Sequence, residues 1–147
     1  MSYPLLQRLS SVNSEYLVCY NALQYIAQEW PQFAGTQLWE ERSFSEVREA
    51  LNRLEGTYII RIFSEFEGCL QFHLTRVLGF THIPRTAEAM INRVALREHI
   101  PDPIRLAAHQ VREYRNSLVH MDARRGITLS FGNVRRALNQ FLVALPS

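Results

Sequence analysis

Tyr58-Ile59-Ile60-Arg61-Ile62-Phe63-Ser64-Glu65-Phe66 carries apolar side chains around most of a helical circumference. A helix of that kind has to be covered on several sides, which places it at the centre of a helical bundle. Upstream, Ser43-Phe44-Ser45-Glu46 reads as a capping box, in which the serine and glutamate side chains satisfy the orphan amides of a helix start. The helical pattern opened there runs to Leu78, and Gly79 is its natural stop. Gly56 leaves open whether this is one helix or two. Gly68 sits inside the pattern at a cost of about 1 kcal/mol relative to alanine, which points to a close helix crossing.

The same periodicity extends outward in both directions. Leu9, Val12, Tyr16, Cys19, Leu23 and Ile26 recur at spacings of three and four, predicting a first helix over Leu5 to Glu29. Trp30-Pro31 should end it, because a residue before proline avoids helical angles. A loop is expected through Gly35 to Arg42, with Trp30 and Trp39 packing at its edges. Downstream, Thr86 is a cap for a helix from Ala87 to about Glu98, closed by His99-Ile100-Pro101. Asp102-Pro103 reads as a capping carboxylate followed by a first-turn proline, opening a helix to about Val119. A short extended Ile127-Thr128-Leu129 leads to Ser130, the cap of a last helix over Phe131 to Leu145. The expectation is a single-domain, all-α bundle of about five helices.

Composition fits that reading. The chain has 147 residues, 47% hydrophobic and 20% charged, which excludes a disordered tail. No apolar run approaches the roughly 18 to 20 residues needed to span a bilayer, so no membrane association is expected. Met1-Ser2-Tyr3-Pro4 shows no basic region leading into an apolar stretch, so no secretory signal is expected. Cys19 and Cys69 match no paired-cysteine motif, which argues for a reduced, cytoplasmic setting. All sixteen cations are arginine. Five arginines face nine acids up to Glu67, and eleven face five acids thereafter. A basic second half suits a polyanionic partner, although an arginine-only cation set is also what a GC-rich gene would encode.

One charge lies where the pattern asks for an apolar residue. Ile104, Ala108, Val111 and Leu118 form a stripe, and its missing member is Arg115. A charge on a core stripe needs a partner or a ligand. Asn116 follows directly, and His120 lies one turn beyond Asn116, about 40° further around. Arg115 and His120 are about 140° apart on an ideal helix, so they converge only if the helix ends or bends near Val119. The alternative roles are plain. Arg115 could snorkel past Leu118 to solvent, and His120 could complement the helix dipole.

Arg115-Asn116-Ser117-Leu118-Val119-His120 resembles the signature of HEPN domains: an arginine, a polar residue and a histidine five to seven positions after the arginine. Arg76 with His82 and Arg93 with His99 share the loose spacing, but valine follows each of those arginines. The aromatic-rich helix before the motif and the final helix ending in Phe141-Leu142-Val143-Ala144-Leu145-Pro146 extend the likeness from about Arg53 to the C-terminus. Residues 43–147 are thus expected to be a HEPN-like core. Residues 1–42 add a helix and loop without a family match. The resemblance implies a homodimer with a composite site, and an endoribonuclease that needs no metal or other cofactor. It also implies a toxin or defence role, with an antitoxin or nucleotidyltransferase as a possible partner. The alternative is a non-catalytic module binding RNA, nucleotide or a protein.

The residue types suit RNA cleavage. A histidine titrating near neutral pH can take or give a proton. A guanidinium can bind phosphate oxygens and stabilise developing charge. Arg115, Asn116 and His120 are therefore the candidate catalytic residues. Glu65, Glu67 and Arg112 are possible supports, the glutamates alternatively pairing with Arg61 or Arg115, and Arg112 alternatively lying solvated at the surface. Arg124 and Arg125 suit RNA backbone contacts or a solvated turn. His73 is expected as a hydrogen-bonded core residue, and His109 with Glu113 as a surface pair.

Overall fold

The computed structural model describes residues 2–37, 39–120 and 128–146. Their only regular structure is helical, without a strand among them. Helix α1 spans Ser2–Gln28, and a short α2 follows at Trp30–Phe33. Pro31 thus separates two helices by standing in the first turn of the second, where a missing N–H costs nothing. Trp30 packs edge-on to Trp39, with ring centroids 6.1 Å apart.

Helix α3 is one continuous element, Phe44–Phe72, and Gly56 does not break it. Its capping box is formed, with Ser43 Oγ accepting from the Glu46 amide at 3.2 Å and the Glu46 carboxylate accepting from the Ser43 amide. Its last turn widens into a π-helical segment, His73–Val77. Gly79 stops it with φ +69°, which lets the Phe80 amide reach back to the Leu74 carbonyl at 2.9 Å. Helices α4 (Ala87–Arg97), α5 (Asp102–Val119) and α6 (Phe131–Val143) complete the bundle. Ser130 caps α6 by accepting from the Asn133 amide. Asp102 does not cap α5. It is the first helical residue, and its carboxylate binds Arg105 one turn on. His99, between α4 and α5, adopts φ +54°, a left-handed conformation usually left to glycine.

Helix α3 is the hub, packed against α1, α4, α5 and α6. Ile59, Ile62, Phe63, Phe66, Cys69 and Leu70 are fully buried, while Arg61 and Ser64 reach solvent along one edge. Phe66 meets Phe141 of α6 edge-to-face at 5.4 Å. Leu5, Leu9, Val12 and Tyr16 seal the α1 side. His73 is buried and hydrogen-bonded to Glu98 at 2.8 Å, tying the end of the long helix to the end of α4. No described helix is long and apolar enough to cross a membrane.

Candidate functional site

Arg115 occupies the stripe of α5 between buried Val111 and half-buried Leu118, and α3 supplies what holds it there. Its guanidinium lies over the Phe63 ring, 5.4 Å from the centroid. Nη2 is 3.6 Å from Glu67 Oε2, one helical turn along α3 from Phe63. Nη1 donates to Asn116 Oδ1 at 3.0 Å. A cation that snorkelled to solvent would show little of this. About a quarter of the side chain, 26%, remains exposed.

These contacts leave the guanidinium underused. It has five N–H donors in a planar fork. Its Nε is buried without an acceptor among the described residues, and the Glu67 contact is too long for a hydrogen bond. Burial pushes the Glu67 carboxyl above its usual range, and the Arg115 charge only partly offsets this. The arginine is thus anchored by an aromatic face and a loosely held carboxylate, with donors to spare.

Helix α5 ends at Val119, and His120 follows as its C-terminal cap residue with φ −91° and ψ 3°. Its backbone amide donates to the Asn116 carbonyl at 3.0 Å, and the residue is exposed. The helix therefore ends near Val119, as the spacing asks, and no hydrogen bond joins the Arg115 and His120 side chains among the described residues. Asn116 touches Arg115 through its side chain, whereas its bond to His120 is the ordinary helical one between backbones.

The supporting residues divide. Glu67 faces the motif. Glu65 does not: it lies on another face of α3 and binds Arg8 of α1 at 2.7 Å. Arg61 is likewise taken, by Glu15 at 2.7 Å. Arg112 is neither free for phosphate nor a solvated surface residue. Its side chain is 18% exposed and paired with Glu88 of α4. Arg124 and Arg125 lie outside the described residues. His109 does not pair with Glu113; its Nε2 shares Asn92 Oδ1 with Arg105, at 2.8 and 3.0 Å. Among the described residues no three His, Cys, Asp or Glu side chains gather as a metal site.

No family model, no curated protein and no solved structure matches this chain. What the site can do follows from its own side chains: bind an anion through the exposed quarter of Arg115, orient it through Asn116, and offer the imidazole of exposed His120 for proton transfer. Phe63 is the contributor that the motif did not announce. The signal was present, because Phe63 stands four residues before Glu67 and so shares its face of α3.

Proposed function

We propose that this chain is a HEPN-type, metal-independent endoribonuclease acting through Arg115, Asn116 and His120. The observation that carries the reading is the Arg115 guanidinium, 26% exposed and hydrogen-bonded to Asn116, with exposed His120 following at the helix end. RNA brings its own nucleophile. The 2′-hydroxyl attacks the adjacent phosphorus, His120 removes its proton, and the 5′-oxygen departs with a proton from a second acid. A 2′,3′-cyclic phosphate and a free 5′-hydroxyl result. A two-fold dimer supplies the second histidine, and Arg115 stabilises the charge that builds on the phosphate oxygens. A cytoplasmic toxin or defence effector, held in check by an antitoxin or nucleotidyltransferase partner, is the setting this chemistry suits.

The test is cleavage of RNA by purified protein. His120→Ala should lower the rate by about 10²- to 10⁴-fold while RNA binding survives. Arg115→Ala should weaken both. His82→Ala and His99→Ala should leave the rate unchanged. Excess EDTA should do the same, and the products should carry cyclic phosphate ends. RNA degradation that persists at full rate in His120→Ala overturns the reading.

One observation favours a second reading, a non-catalytic binding module: the Glu67 carboxylate beside Arg115 competes with any incoming phosphate. On that reading no RNA is cut, yet Arg115→Ala abolishes nucleic-acid binding and Glu67→Gln strengthens it.

A further inference from the structure

The last stretch of the chain builds a second cationic feature. From Ala123 to Ser147 there are four arginines and no acid. Two of them, Arg135 and Arg136, stand on α6 one turn before Asn139 and Gln140. With Val143 and with Ile104 of α5, these residues line an open groove of about 530 Å³. The other side of α6, with Val134, Leu138, Phe141 and Leu142, is buried in the core. The groove is thus a solvent-side face of a helix that the core holds rigidly.

Three observations define what fits it. First, Arg135 and Arg136 are exposed, and neither pairs with a carboxylate among the described residues. Arg8, Arg61, Arg105, Arg112 and Arg115 all do. Two arginines on one groove, with no carboxylate partner among the described residues, suit phosphodiester oxygens. Second, Asn139 Oδ1 is buried with no donor among the described residues. Turning that amide towards a ligand breaks no bond at Oδ1, and the ligand that satisfies it must bring a hydroxyl or an N–H. Third, no aromatic ring lines the groove, so it offers no platform for stacking a base. A ligand with phosphates and a donor hydroxyl, recognised without its bases, is a ribose–phosphate backbone.

We propose that the α6 groove is a backbone-binding subsite for single-stranded RNA, with Arg135 and Arg136 on phosphates and Asn139 accepting from a 2′-hydroxyl. The choice of RNA rests on the ribonuclease reading, but the subsite lies outside the Arg115–His120 motif and has its own variants.

The experiment measures fluorescence anisotropy of a labelled RNA of about 12 nucleotides, within the span that such grooves track, and of DNA of the same sequence. Every protein carries His120→Ala to prevent cleavage. Arg135→Ala/Arg136→Ala should weaken RNA binding about tenfold and flatten the logarithmic salt slope by about 1.4, since each phosphate contact on a single strand contributes about 0.7. Asn139→Ala should weaken RNA several-fold and leave DNA unchanged. Melting curves of the arginine variant should match its parent, because neither arginine has an ion pair among the described residues to lose. An unchanged affinity and slope in the arginine variant, with Arg115→Ala still weakening RNA, overturns the groove and leaves the ribonuclease reading standing. Absence of RNA binding by every form overturns both. Loss of binding to poly-glutamate with RNA unaffected overturns the proposal in favour of an acidic protein ligand. An Asn139→Ala effect equal on RNA and DNA overturns the hydroxyl contact.

Discussion

At Arg115 a buried charge is made tolerable by neighbours that only partly satisfy it, and the same holds for His109 on the same helix. His109 sits between Arg105 and Arg112 with Nδ1 buried and without a partner among the described residues. Burial first, and then those two charges, lower its pKa from the ordinary 6.5. The unfolded chain therefore takes up this proton before the folded one, and stability falls as pH drops below about 6.5. Replacing it by glutamine keeps a donor for Asn92 and removes the titration. Thermal melts between neutral and mildly acidic pH should show a shallower decline for His109→Gln than for the parent, and identical slopes would exclude His109 as the source. Glu67 behaves with the opposite sense. Its carboxyl is raised mainly by burial, so the folded state holds this proton longer and stability is lost as pH rises through the raised value. Glu67→Gln should flatten that loss in melts over the carboxylate range, and an unaltered profile would show the group to be fully hydrated. Arg115, Asn116 and His120 were legible because helical spacing and residue chemistry point the same way. The partners were not. Arg112 and Arg115 carry the same side chain one turn apart, yet one turns to Glu88 and the other to Glu67, and only the packing of α4 and α3 on either side decides this.

Gly68 shows how an element is constrained from outside. A Cβ there would stand 2.9 Å from Nη2 of Arg8, and no backbone of α1 comes as near. The close approach expected at this glycine is therefore made by a side-chain end that can swing clear. Alanine in place of glycine gains about 1 kcal/mol of helix propensity. The Arg8–Glu65 pair it disturbs is solvent-exposed and worth at most about 1 kcal/mol. Gly68→Ala should thus leave stability unchanged or raise it by up to about 1 kcal/mol, measured by urea unfolding. A loss larger than that of Arg8→Ala would mean that the helices themselves are forced apart. Element boundaries were readable wherever local chemistry sets them: Ser43, Thr86 and Ser130 all cap as their sequences suggest. Asp102 misled because a carboxylate before proline fits either the cap or the first turn. The π-helical turn at His73–Val77 left no local signal; it begins at His73, whose ring bonds Glu98 at the end of α4.

At the scale of the whole molecule, the all-α bundle was legible because one helix is too apolar to stand anywhere but the centre. Assembly is a matter for solution measurement. If two copies complete the site, light scattering at micromolar concentration should give twice the chain mass, and a strict monomer would remove the composite-site mechanism. The two thiols report on a different property of the same bundle. Cys69 is fully buried between α3 and α1, its Sγ 3.7 Å from the Leu5 carbonyl, and burial pushes its pKa up to about 11. Cys19 is only half-buried, 3.3 Å from the Tyr58 hydroxyl. A thiol reagent at mildly alkaline pH should modify Cys19 quickly and Cys69 only when α1 lifts away from α3. Two labels added in one fast step would mean that this seam stands open. A second label added slowly makes Cys69 a clock, counting how often α1 leaves the hub.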